Sequence, residues 1–199
     1  CRYGIFEDLF PNAEIKYIHL TRGFAQSVNG LMDGWLSDTG FFAYNMDVIN
    51  DVELNITGYS DIKRFGKKWW KFDLFPNWHL YYQAPLVDVC TQQWLNAHSN
   101  IVYNGPKDTL RIKFENFLTD KQGTTDAICN YLNIESFHVD DLPQVMITEK
   151  PKMFRWHKRK DEIMDVWNAL GIRPNTGLGS QVRNMMRELG YSTDPETWI

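Results

Sequence analysis

The sequence has little cysteine, no long apolar run and no excess of positive charge. Its three cysteines, Cys1, Cys90 and Cys129, are an odd number without CxxC or metal-ligand spacing, so neither a disulfide framework nor a zinc site is expected. Cys90 and Cys129 read as small buried hydrophobes, the usual fate of free cysteine in a cytosolic protein. No apolar stretch approaches the ~20 residues of a membrane helix, and no signal-peptide pattern is visible. A cytoplasmic protein without a membrane span is therefore expected. The net charge of −4 argues against a nucleic-acid binder that works by neutralising phosphates, so any anion site must be local. There is no internal repeat and no low-complexity tract. Asn55-Ile56-Thr57 is a glycosylation triplet of a kind frequent by chance.

What is present suits one globular domain spanning residues 1–199. The chain is 43% hydrophobic and 23% charged, with 15% aromatics and 8 Trp. That aromatic richness fits a thick core or a pocket for a flat ligand.

Residues 3–10 read as the end of an amphipathic helix stopped by Pro11. Lys16-Tyr17-Ile18-His19-Leu20-Thr21 follows as a strand, apolar on both faces in the manner of a buried parallel strand. Arg22-Gly23 ends it. Phe24 to Leu36 then has helical spacing at Phe24, Val28, Leu31 and Trp35. Residues 37–78 read as an irregular, aromatic-rich insertion, a length that is usually functional when loop-like. A second long helix is expected from about Leu80 to His98, then a turn at Asn104–Asp108 and a strand at Thr109–Phe114. Strand, helix, strand with a long crossover predicts parallel pairing.

Thr119 or Asp120 caps a helix to about Leu132, with Ala127, Ile128, Tyr131 and Leu132 on its apolar side. Residues 135–152 look extended. The basic segment Arg155–Lys160 leads into a helix ending before Gly171, and Gly179–Leu189 is a last helix with Gly190 as its C-cap. The fold class is α/β, three-layered around a parallel sheet. Residue 1 is Cys and a helix-like stretch begins almost at once, as in a processed chain or a partial reading frame; from its architecture the domain is expected to be N-terminally incomplete, with at least one strand upstream.

Three segments carry possible chemistry. Arg22 follows a strand at the carboxyl edge, where open α/β sheets bind ligands, and the next helix offers free N–H groups and the Ser27 hydroxyl. A guanidinium fork, a hydroxyl and a helix N-terminus together suit a phosphate dianion. A surface ion pair for Arg22 and a solvated Ser27 explain the same residues. In Arg111–Leu118 a strand ends in Phe114 followed by Glu115; alone, these read as a core aromatic and a capping carboxylate. In Lys150–Ile163 a basic run is interrupted by Trp156. Cations beside a flat surface fit a nucleotide, and a Trp anchoring the next helix fits equally.

In this order the three segments resemble the sulfotransferases that use 3′-phosphoadenosine 5′-phosphosulfate. Ile18-His19-Leu20-Thr21-Arg22 resembles that family's strand ending in the 3′-phosphate arginine. Phe114-Glu115-Asn116-Phe117 is similar to its Tyr-Glu-Asp-Leu element, whose aromatic approaches the adenine. Pro151–Ile163 resembles its late Trp-plus-basic segment, and Met186–Tyr191 its Leu-Gly-Tyr ending. There are departures. Gly23-Phe24 stands for Asp-Pro, Gly30 stands where the phosphate serine usually lies, and Phe114 replaces Tyr. Ser27, with Asn29 in reserve, is the substitute for the serine.

The resemblance implies a P-loop-like fold and sulfuryl transfer to an acceptor hydroxyl or amine, with 3′-phosphoadenosine 5′-phosphosulfate as co-substrate and no metal. It implies nucleotide contacts from Arg22, Ser27, Phe114, Arg155, Trp156, Lys158 and Arg159. Trp69, Trp70 and Phe72, in the aromatic-dense insertion, are expected to shape the pocket for a small-molecule, lipid or carbohydrate acceptor. The sulfate-gripping loop and the catalytic base are expected upstream of residue 1, so this chain alone is expected to be inactive. None of the five histidines sits where the base belongs; His19 reads as a core residue. Two other readings stay open, a small-metabolite kinase on a related scaffold and a non-catalytic nucleotide-binding relative.

Overall fold

The computed structural model describes residues 4–38, 41–49, 51–141, 154–169 and 177–198. Along the chain these form α1 (Ile5–Leu9), β1 (Ile18–Thr21), α2 (Phe24–Trp35), β2 (Ala43–Asn45), α3 (Met46–Ile49), β3 (Trp69–Lys71), α4 (Leu86–Asn104), β4 (Leu110–Lys113), α5 (Phe114–Thr119), α6 (Lys121–Leu132), α7 (Lys160–Asn168) and α8 (Leu178–Glu188), joined by short 3₁₀ turns. The fold class is α/β, as expected. No helix among the described residues is long and apolar enough to cross a membrane. The predicted extended segment at 135–152 lies outside the described residues beyond position 141, as does the predicted helix stop at Gly171.

The chain divides into two compact units, one of Cys1–Arg22 with His98–Met153, the other of Gly23–Ala97 with Phe154–Ile199. In the first, β1 and β4 pair in parallel with Ile18 opposite Leu110 and Thr21 opposite Lys113, the pairing the strand–helix–strand order predicts. The burial of β1 corrects its reading as a two-faced apolar strand. His19 and Thr21 are the buried residues, while Ile18 and Leu20 are 39% and 58% exposed. Thr21 is held inward because its hydroxyl donates to the Ile112 carbonyl at 3.3 Å, and His19 because it meets another histidine.

Asp120 caps α6, its Oδ1 accepting the Gly123 N–H at 2.9 Å; such a cap contributes about 1 kcal/mol. The buried face of α6 is Thr124, Thr125 and Cys129, not the predicted Ala127 side. Tyr131 instead serves β1 from one side: its carbonyl accepts from Lys16 Nζ at 3.0 Å and its hydroxyl from the Tyr17 N–H at 3.2 Å. Asn133 ends α6 in the left-handed region at φ 57°, a conformation Asn tolerates.

In the second unit the core is aromatic. Phe24 touches Trp94, Trp167 and Trp198, and Trp35 touches Tyr59 and Trp70 edge-on, at centroid distances from 4.8 to 6.5 Å. Edge-to-face pairs add about 0.5–1.5 kcal/mol each beyond area burial. The stretch read as an irregular insertion holds a small antiparallel sheet, Ala43 opposite Lys71 and Asn45 opposite Trp69, and sends Leu54, Ile56, Tyr59 and Phe75 into the core. Strands this short leave almost no alternation to read.

The long helix begins later than predicted, at Leu86 rather than Leu80. Pro85 fixes the entry, its carbonyl accepting from Asp88 and Val89, and Asn77 at φ 63° has already broken any earlier helix. The helix also outruns His98, ending at Asn104 before Gly105-Pro106. The last helix, α8, closes as predicted. Gly190 at φ 72° donates to Arg187 and Tyr191 to Met186, satisfying carbonyls of the final turn. Cys90 and Cys129 are free and buried, and burial pushes the Cys90 thiol well above its ordinary value.

Candidate functional site

Within the first unit the parallel register sets one juxtaposition. Thr21 and Lys113 are the last matched pair of β1 and β4, so the next residue on each strand, Arg22 and Phe114, stands at the same carboxyl edge. The Arg22 guanidinium carbon lies 5.1 Å from the centroid of the Phe114 ring, within cation–π range. Arg22 is exposed and Phe114 half-buried. Two residues 92 positions apart in the chain thus bring a planar cation and an aromatic face together at the carboxyl edge of a parallel strand pair, the edge at which open α/β sheets generally bind ligands.

Beneath that edge is a pair the sequence did not reveal. His19 Nε2 lies 2.9 Å from His98 Nδ1, and both rings are buried. Burial, and beside it the charge of Arg111, lowers His19 to about 4; burial, His19 and Arg111 lower His98 to about 4. At neutral pH both rings are uncharged and share one N–H between facing nitrogens.

In the second unit the basic segment converges on one carboxylate. Phe154, at φ 59°, turns the chain into a 3₁₀ run over Arg155–Arg159. From it Lys158 Nζ reaches Asp33 Oδ1 at 2.6 Å and Oδ2 at 2.7 Å. Arg159 Nη1 reaches Asp33 Oδ1 at 2.8 Å, and Arg155 Nη2 stands 3.9 Å from Oδ2. Arg159 Nη1 also donates to Asn29 Oδ1 at 2.6 Å. Asn29 and Asp33 are four residues apart on α2 and so share a face. Burial pushes the Asp33 carboxyl up, but hydrogen bonds and charge from Lys158 and Arg159 outweigh it and hold the group below its usual value.

Asp33 was not among the expected site residues; a lone carboxylate in a helix carries no signal until its partners 125 residues away are known. Asn29, the reserve, is the residue that meets Arg159. Ser27 is half-buried on the first turns of α2, its N–H donating to the Gly23 carbonyl at 3.0 Å.

Trp156, expected beside the nucleotide, lies in the core of the second unit. It is 1% exposed, packed 5.6 Å from Trp198 and 4.5 Å from His157, so it anchors the start of α7 to the core. Its Nε1 is buried without a hydrogen-bond partner among the described residues, a state costing about 1–3 kcal/mol.

The aromatic run of β3 also separates. Strand alternation turns Trp69 outward, 45% exposed, and Trp70 inward, fully buried with its indole donating to the Asp73 carbonyl at 2.9 Å. Trp70 is therefore part of the aromatic core. Phe72, at φ 62°, is half-buried, its ring tilted against that of Phe41 with centroids 5.2 Å apart. Trp69 lines an open cleft.

No group of three or more His, Cys, Asp and Glu side chains among the described residues is arranged to hold a metal. Comparison with protein-family models gave no match, nor did comparison with curated proteins or with solved structures.

Proposed function

We propose that this chain carries the nucleotide-binding part of a sulfotransferase that uses 3′-phosphoadenosine 5′-phosphosulfate. The observation that carries the reading is the meeting of Arg22 and Phe114 at the carboxyl edge of the β1–β4 pair. A fixed cation for a phosphate dianion and an aromatic face for a purine are the two contacts an adenosine 3′-phosphate requires. The Arg155, Lys158 and Arg159 cluster supports it separately. Lys158 and Arg159 reach Asp33 and Arg155 stands 3.9 Å from it, a clustering of cations within the second unit of the kind that meets phosphate groups. In this reading the two-stranded sheet belongs to a larger parallel, three-layered, P-loop-like sheet, which would cover Ile18 and Leu20.

The reaction is a displacement at sulfur. An acceptor oxygen or nitrogen attacks in line, the bond from sulfur to the bridging phosphate oxygen breaks, and adenosine 3′,5′-bisphosphate leaves. The acceptor's proton passes to a base. The role of this chain's residues is to fix the nucleotide by electrostatics and stacking. The base and the sulfate grip are not assigned to any described residue.

Calorimetric titration with adenosine 3′,5′-bisphosphate and with AMP, on the native chain and on Arg22→Ala, tests the reading. A preference for the bisphosphate that disappears in Arg22→Ala is the expected result. Equal affinity for both nucleotides favours a kinase-like or scaffold role, and binding of neither overturns the proposal for this chain.

A further inference from the structure

The exposed Trp69 stands at the edge of a cleft of about 550 Å³ contained within the second unit. That volume lies within the usual range of small-ligand sites, roughly 300–1,000 Å³, but the lining differs from theirs in being charged rather than apolar. Asp47, Asp51 and Glu53 supply three carboxylates, and Lys63, Arg64, Lys67 and Lys68 four cations. Both signs are present, and some of them pair. Lys68 pairs with Asp47, and Lys67 pairs with Glu53 at 3.1 Å, while Asp51 and Lys63 form no ion pair among the described residues. Arg64 is drawn aside to Asp38 at 3.2 Å and lies 4.8 Å over the Phe65 ring.

The chemistry of this lining selects its ligand by elimination. An apolar or phenolic molecule filling the cleft would strip water from seven charged groups and return no hydrogen bonds, an unfavourable exchange. A polyanion would meet three carboxylates, and a polycation four cations. A ligand whose groups each donate and accept fits both signs at once, and a hydroxyl does this. A polyhydroxylated ring adds an apolar C–H face, the complement of an exposed indole beside polar groups.

We propose that the cleft bounded by Trp69, Asp51, Glu53 and Lys63 is a carbohydrate-binding site, with Trp69 as the stacking platform and the mixed charges as partners of the sugar hydroxyls. The inference does not depend on the nucleotide reading.

Titration of the full chain with cellotetraose, chitotetraose and maltotetraose, with 4-nitrophenol as the apolar control, tests it without nucleotide. Binding of at least one saccharide is expected, weakened about tenfold or more in Trp69→Ala, retained largely in Trp69→Phe, and weakened in Asp51→Asn. Asp51 sits at φ 49°, which Asn accepts, so that variant keeps its fold. An unchanged thermal midpoint in each variant confirms that binding, not folding, was altered. No binding of any saccharide overturns the proposal, as does saccharide binding indifferent to Trp69→Ala or tighter binding of the phenol. Saccharide binding without bisphosphate binding would remove the sulfotransferase reading and leave the cleft standing.

Discussion

His19 and His98 face one another through the nitrogens 2.9 Å apart, and each is held near a pKa of 4 instead of 6.5. A lowered histidine value means that the unfolded chain takes up protons first as the pH falls. The stability conferred by the neutral pair is complete above about 6.5, and is lost progressively as the pH falls toward 4. Each proton excluded from the folded state costs about 1.4 kcal/mol per pH unit across that window. Urea midpoints measured from pH 7.5 to 4.5 are expected to fall accordingly. His98→Asn, which keeps a polar atom near the Nδ1 position but does not titrate, is expected to flatten the slope by about half. An unchanged slope would mean that the pair is not neutral in the folded protein.

Phe114 and Arg22 separate the two halves of a nucleotide. Phe114→Ala is expected to weaken AMP and adenosine 3′,5′-bisphosphate by the same factor, about fivefold for a stacking contribution near 1 kcal/mol. Arg22→Ala should weaken only the bisphosphate. Identical responses of the two variants would show that the ring supports the guanidinium and does not touch the base.

Asp33 restrains three cations. Its replacement by Ala is expected to lower stability by about 1 kcal/mol, a modest figure because the carboxylate and Lys158 are partly exposed. The loss should shrink on adding salt or inorganic phosphate, since either supplies the missing negative charge. Thermal melts of Asp33→Ala with and without phosphate check this. A loss that phosphate leaves untouched would place the effect in packing.

Gly179 marks the tightest approach between α7 and α8. A Cβ there would stand 2.6 Å from the Val166 carbonyl oxygen, 2.8 Å from that of Trp167 and 2.9 Å from that of Ala169. These are backbone atoms, which cannot swing away as a side chain can. Gly179→Ala is expected to cost about 2 kcal/mol or more, read as a lowered denaturation midpoint. The neighbouring exposed Ser180 is expected to accept Ala at little cost.

How far the sequence speaks follows from the range over which each feature is determined. The helices α2, α6 and α8 and the parallel pairing of β1 with β4 were legible because periodicity, caps and connection length are local. The Asp120 cap and the Gly190 stop belong to the same class. The small sheet of β2 and β3 was not legible, because three-residue strands hold no period and are specified by their partner. The inward place of His19 was legible, but not its partner His98, far along the chain, nor the exposure of Ile18 and Leu20. Arg22 and Phe114 could be paired only through the order of motifs. Asp33 offered no motif at all, and the burial of Trp156 could not be read from a basic run that it merely interrupts.

Ile18 and Leu20 turn toward water while the polar residues between and beyond them turn inward, and this bears on how the protein behaves in the tube. Exposed apolar surface on a strand draws copies together, and the net charge of −4 is what keeps them apart. Salt shortens the reach of that repulsion from about 10 Å at 0.1 M to about 3 Å at 1 M, and sulfate strengthens apolar contact as well. The colloidal balance is therefore tilted opposite to that of a protein held together by surface ion pairs. Dilute, low-salt buffer above neutral pH is the protective condition, and ammonium sulfate is expected to bring the protein out of solution early.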